Sequence, residues 1–163
     1  MKGLFSFLHT REDALYMQQT LDTVSSNLFS VKSSFEHDLL QAFSLPVAEE
    51  ILKDMREQGV SSQNGALVQK YIDTLKSEIQ QLPKITLRIA FNPGFDLIRN
   101  ISMRFDAISE TKVLLEFVVD PKVIGGVSIE WNGVFLDYSL KKLLQEKLSS
   151  QKATSNDTRM EPI

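Results

Sequence analysis

The residue types that could do chemistry are few, and their spacing serves it poorly. His9 and His37 are the only imidazoles, and neither has a carboxylate or nucleophile spaced to join it as a catalytic group. No His-Glu-x-x-His occurs, so a helix-borne zinc protease site is not suggested. Cysteine is absent, which removes disulfides, thiolate metal ligands and cysteine nucleophiles together. Carboxylates are numerous, but no close pair lies in an apolar setting that would drive two pKa values apart. Gly125-Gly126 is the one paired glycine. It lacks the Lys-Ser/Thr of a phosphate-cradling loop and the spacing of a dinucleotide fingerprint. It reads better as a bulge or turn whose backbone adopts conformations closed to residues with a Cβ. The histidines read as surface or packing groups, Asp120 before Pro121 as a turn starter, and Asp137 as a helper to Ser139 in capping a helix. These are structural jobs. The expectation is a non-enzyme, with no cofactor and no metal.

Composition narrows the partners. The 163 residues carry 18 Lys and Arg against 21 Asp and Glu, a net charge of -3. Without a basic excess, a nucleic-acid phosphate backbone is not the expected partner, and Lys141-Lys142 reads as a solvated helix face. Hydrophobic residues make up 42% and charged residues 24%, an ordinary globular composition. A sub-domain of about 60 residues would be only marginally stable alone, which favours a part that leans on partners. No apolar run approaches the roughly 20 residues of a membrane-spanning helix. The opening Met1-Lys2-Gly3-Leu4-Phe5-Ser6-Phe7-Leu8 is like the start of a signal peptide. It is short, however, and runs into His9, Arg11, Glu12 and Asp13 without a small-residue cleavage site, so it reads as a packing or docking segment.

The elements that must position these residues follow from periodicity. Thr10 and Asp13 resemble an N-cap with an acidic first turn. Ala14, Met17, Leu21, Val24, Leu28, Val31 and Phe35 then recur at spacings of three and four, a seam of the kind that two packed helices share. One continuous helix over 12–43 is expected, with the serines at 25, 26, 30, 33 and 34 allowing a break near 30–34. Pro46 opens a further helix that Gly59 ends, and another carries Leu67, Val68, Tyr71, Ile72, Leu75, Ile79 and Leu82 up to Pro83. At Lys84 the period becomes two: Ile85, Leu87, Ile89 and Phe91 alternate with polar neighbours. A helix with the stripe Ile98, Ile101, Phe105 and Ile108 follows. A strand over 113–119 comes next, then one whose Val127, Ile129 and Trp131 face inward. Asn132-Gly133 marks a type I′ hairpin, and Ser139 caps a helix carrying Leu140, Leu143, Leu144 and Leu148. The fold class is α+β. An all-helical bundle or hairpin of three or four helices over 1–83 precedes a small αβ domain with a mixed sheet and two helices over 84–148. A polar tail over 149–163 is expected to be disordered.

One stretch carries more than secondary structure. Val119-Asp120-Pro121, Ile124-Gly125-Gly126, Asn132-Gly133, Asp137-Tyr138-Ser139 and the leucine helix from Leu140 to Leu148 follow one another in a fixed order. That succession resembles the C-terminal signature of ATP synthase delta subunits, known in mitochondria as the oligomycin-sensitivity-conferring protein. The likeness covers 112–148 well and 84–148 loosely. It departs at Tyr138, where the family often has glycine, and in a helical half shorter than the family's bundle. The resemblance implies a non-catalytic stator subunit, peripheral on the cytoplasmic face of a bacterial membrane. In such a subunit the helical domain grips the alpha subunits of the catalytic head, and the C-terminal domain holds the membrane-anchored b subunit. On that footing Asp120, Pro121, Ile124, Gly125, Gly126, Asp137 and Ser139 shape the joint. Grooves between helices accept partner helices, and the candidates are the seam at Leu21, Val24 and Leu28 and the face at Leu67, Tyr71 and Leu75. Two other readings stay open: a helical adaptor or assembly scaffold with a similar αβ module, and an enzyme with a nucleotide site at Gly125-Gly126.

Overall fold

The computed structural model of the chain describes residues 2–28 and 34–145. The fold is α+β, with helices first and a mixed four-stranded sheet after them. Two compact units form. One comprises Met1–Lys84 with Asp96–Leu115, and the other Ile85–Phe95 with Glu116–Ile163.

The first unit is built on α1 (Lys2–Phe5), α2 (Arg11–Asn27), α3 (Phe35–Ala42), α4 (Leu45–Glu57) and α5 (Gly65–Gln81). The starts of α2, α3 and α5 are each set by a residue whose side chain satisfies orphan backbone N–H groups. At α2 the Thr10 hydroxyl accepts from Asp13 N at 3.1 Å, and the Asp13 carboxylate accepts from Thr10 N at 2.9 Å and His9 N at 3.0 Å. This is a complete capping box. Ser34 caps α3 and Asn64 caps α5, while Pro46 lies in the first turn of α4. Gly59, at φ 70°, ends α4, with Val60 N bonded to Met55 O at 2.9 Å and Gly59 N to Arg56 O at 3.1 Å, a Schellman closure.

The single helix expected over 12–43 is not formed: α2 stops at Asn27, and α3 starts afresh behind Ser34. The reason lies in the serines. Ser26 Oγ donates to Thr23 O at 2.7 Å, and Ser34 Oγ accepts from His37 N at 3.3 Å, so hydroxyls compete with the helical ladder. Val31 of the expected seam lies outside the described residues. The rest of the seam holds: Ala14, Met17, Leu21, Val24 and Phe35 are buried, and Leu28 packs against them. Leu4 and Leu8 are also buried, so the N-terminal segment is a packing segment and forms α1. Helix α2 packs on α3 and α5, and α4 packs on α1 and α3. Each fully buried Leu or Ile contributes about 1.5–3 kcal/mol.

A second chain segment completes this unit. Leu115 N donates to His9 O at 3.0 Å, and Leu114 N to Pro83 O at 2.9 Å. Thr10 and Leu115 form a parallel bridge, and the Leu114 side chain joins the core. Helix α6 (Phe95–Ile108) buries only Ser102. Its expected stripe is half-buried at Ile98, Ile101 and Phe105 and open at Ile108. Ser102 Oγ lies 3.1 Å from His9 Nδ1 and 3.1 Å from Lys112 Nζ. His9 is therefore not the lone group its sequence neighbourhood implies, since its partner is 93 residues away.

The sheet has the order β2-β1-β3-β4, from β1 (Lys84–Ile89), β2 (Leu114–Val119), β3 (Val127–Trp131) and β4 (Val134–Asp137). Leu114 bonds to Pro83 near one end, and Asp120 N to Ile89 O at 2.8 Å near the other, so β2 runs parallel to β1. The other pairs are antiparallel. Strand β1 alternates as expected, with Ile85, Leu87 and Ile89 buried, but it ends before Phe91, which is exposed. Strand β3 does not follow its expected facing. Ser128 is its buried residue, and Trp131 is 50% exposed.

One buried polar group fixes the helical register. The Asp54 carboxylate on α4 accepts from Tyr71 Oη at 2.8 Å and from Gln58 Nε2 at 2.8 Å. Burial and the neighbouring Asp54 raise the Tyr71 pKa, so the phenol stays protonated and donating. Replacing Tyr71 by Phe leaves a buried carboxylate short of a donor. A loss of about 1–3 kcal/mol is expected in urea unfolding, and an unchanged midpoint would remove Asp54 from the list of stabilising contacts.

Candidate functional site

The glycines and caps singled out in the sequence converge on one joint in the second unit. After β2, Asp120 turns the chain: its carboxylate accepts from Lys122 N at 2.9 Å, and its carbonyl from Val123 N at 3.0 Å. Pro121 lies within that turn, where its lack of an N–H costs nothing. Ile124 is exposed. Gly125 and Gly126 follow with φ of 64° and 79°, both in the left-handed region that only glycine enters freely. A Cβ on Gly126 would run into the backbone carbonyl of Tyr138 and come within 3.0 Å of Ser139 Cα. A Cβ on Gly125 would meet the Leu140 side chain at 2.6 Å. The paired glycine is thus a close crossing of two backbones.

The other side of the crossing is held by caps. Tyr138 N donates to Val127 O at 2.9 Å, and Leu140 N to Gly125 O at 3.2 Å. The Asp137 carboxylate accepts from Ser139 N at 2.8 Å and from Ser128 Oγ at 3.3 Å. The Ser139 backbone N–H first, and its hydroxyl next, hold the Asp137 carboxyl below its ordinary range. The sign follows directly: this tie is intact above the usual carboxylate pKa and weakens as pH falls through the depressed value. Ser139 Oγ in turn accepts from Lys142 N at 3.4 Å, capping a helical segment over 140–145. Leu148, expected on this helix, and the tail over 149–163 lie outside the described residues. Between β3 and β4, Asn132 and Gly133 have φ of 48° and 76°, the type I′ turn the dipeptide demands.

The other candidates belong to the first unit. Leu21, Val24, Tyr71 and Leu75 are buried in the helical core, Leu28 packs partly against it, and Leu67 is exposed. His37 is on an exposed face beside Gln41. Among the described residues, no group of three or more His, Asp or Glu could hold a metal, and no helix is long and apolar enough to cross a membrane.

What sequence reasoning missed is the surface beside the joint. Strand β4 is an edge strand, and Val134, Phe135 and Leu136 are all exposed, as are Tyr138, Leu140, Leu143 and Leu144. The available signal was the run Val-Phe-Leu, which breaks the alternation of a half-buried strand. An apolar edge of this kind invites a partner.

Gly126→Ala is expected to lose more stability than Gly133→Ala. Both take on a left-handed strain of about 1–2 kcal/mol, but only Gly126 adds a collision with backbone, since nothing lies within 4 Å of a Cβ at Gly133. Urea unfolding followed by Trp131 fluorescence would report it. Equal losses would mean that the crossing is not tight.

The model of one family, described as ATP synthase delta (OSCP) subunit, matches residues 66–150. The match begins at the first turn of α5, upstream of the stretch that carries the sequence resemblance, and takes in the whole joint. A comparison with curated proteins gives no match. The family match spans just over half of the 163 residues and contains every element of the glycine crossing and its caps, so the chain belongs to the ATP synthase delta (OSCP) subunit family.

Proposed function

We propose that the chain is a peripheral-stalk subunit that links the catalytic head of a rotary ATP synthase, through its alpha subunits, to the membrane-anchored b subunit. The observation that carries this reading is the exposed apolar surface of β4 and residues 140–145, next to a joint held by hydrogen bonds among Ser128, Asp137 and Ser139. A surface of that kind favours association over chemistry. Val134 and Leu136 share one face of β4, with Phe135 on the other, so an occupant could cover the edge from either side. In this reading the b subunit docks there with an amphipathic helix, its apolar stripe against Leu136, Leu140 and Leu144. The helical unit grips the alpha subunits through the α2 and α5 pair, where Leu67 is open to a partner and Leu21, Val24, Tyr71 and Leu75 keep the pair rigid. The peripheral position at the cytoplasmic face of a bacterial membrane follows from the b subunit's anchor.

The test is capture of alpha and b from detergent-solubilised membranes by the tagged full chain. Both are expected to co-purify. Leu136→Asp and Leu144→Asp should each weaken b binding by about 2 kcal/mol or more, roughly thirtyfold in Kd, while alpha capture is unchanged. If neither alpha nor b is ever captured, the stator reading fails and the helical adaptor takes its place. If b is retained by both variants, docking lies elsewhere.

A further inference from the structure

Polar side chains far apart in sequence meet inside the first unit. Ser102 on α6 is fully buried. Its Oγ lies 3.1 Å from His9 Nδ1, in the chain between α1 and α2. It also lies 3.1 Å from Lys112 Nζ, and the same ammonium donates to Asp106 at 2.6 Å. An ammonium can only donate, whereas a hydroxyl can accept and donate at once. Lys112 therefore gives a hydrogen to Ser102 Oγ, and Ser102 passes its own to His9 Nδ1. That direction requires Nδ1 to be bare, with the imidazole neutral and its hydrogen on Nε2. Protonation reverses the situation: Nδ1 becomes a donor, and Ser102 then faces two donors. The hydrogen of the fully buried Ser102 is left without its acceptor, and a second positive charge joins Lys112 in the cluster.

We propose that this cluster is a pH-sensitive latch: neutral His9 fastens α6 and the start of β2 to the junction of α1 and α2, and protonation of His9 releases them. The fastening has a backbone component at the same residue, since His9 O accepts from Leu115 N at 3.0 Å. The charged groups facing His9 come from every element around it: Lys112 ahead of β2, Arg99 and Asp106 on α6, and Asp13 on α2. Burial first, then Lys112, hold the imidazole pKa below 6.5, against the opposing pull of Asp13 and Asp106. The unfolded chain therefore binds more protons than the folded one between that depressed value and 6.5. Stability from the latch is complete above this window and is lost as pH falls through it. The inference does not depend on what docks on the second unit.

The experiment uses the full chain with His37→Gln, which leaves one imidazole to follow by NMR. The His9 ring is expected to titrate below 6.5. Protection of the Leu115 amide against hydrogen exchange, corrected for intrinsic rates, should fall by up to about tenfold per pH unit across the window. Adding His9→Gln should abolish that pH dependence, and Lys112→Met should move the His9 titration upward. A titration at or above 6.5 overturns the latch, as does Leu115 protection that follows pH identically with and without His9. Should the His9→Gln protein fail to fold, the titration of the parent alone decides.

Discussion

The approach of the Gly126 backbone to the carbonyl of Tyr138 constrains the whole carboxyl end. The two segments could not cross at that separation if residue 126 carried a Cβ. Everything around the crossing then follows. The turn at Asp120 must deliver the chain to a left-handed pair. The hairpin must return it at a fixed register, with Trp131 opposite Val134 and Ser128 opposite Asp137. The cap at Ser139 must start a helix within one residue of Tyr138. Asp137 is the hub, tying Ser128 on the neighbouring strand to the Ser139 N–H, the second beyond β4. These polar groups bond to one another and hold the crossing together. The same geometry leaves Val134, Phe135 and Leu136 exposed beside it.

Much of this was legible in the residues, for reasons that differ along the chain. The caps at Thr10 and Ser139, the stop at Gly59 and the turn at Asn132-Gly133 are local chemistry, in which the deciding atoms lie within a few residues of one another. They appear where the residues place them. The break between α2 and α3 was harder. An apolar seam running through Val31 to Phe35 argues for continuity, and only the competition of serine hydroxyls with the ladder argues against it. Ser128 and Trp131 could not be placed by alternation alone. Facing in a short strand is decided by its neighbours, and Asp137 draws Ser128 inward. The cluster at Ser102 has no local signature. A serine in an amphipathic helix, a histidine after α1 and a lysine ahead of β2 are each unremarkable until the topology brings them together.

The candidate groove residues make a related point. Periodicity finds apolar faces but not their occupants. Leu21, Val24, Tyr71 and Leu75 read the same whether they hold a partner helix or one another, and in this chain they close the core. Leu67, one turn ahead of Tyr71 on α5, stays outside it. The exposed run at Val134–Leu136 was visible in composition but not in role, since an edge strand is recognised only once the sheet order is known.

Three buried or half-buried polar ties each join one element to another: Tyr71 to Asp54, His9 and Lys112 to Ser102, and Ser128 to Asp137. Apolar contact is indifferent to small slides of one helix on another, because the transfer of area to the interior hardly changes. A hydrogen bond from a buried donor is not indifferent, since a slide of an ångström or two leaves both partners unsatisfied at about 1–3 kcal/mol. Where the apolar core supplies the bulk of the stability, these ties choose one register within it. A part that works by transmitting force needs that choice more than it needs further stability, because a joint that slips under load carries no load.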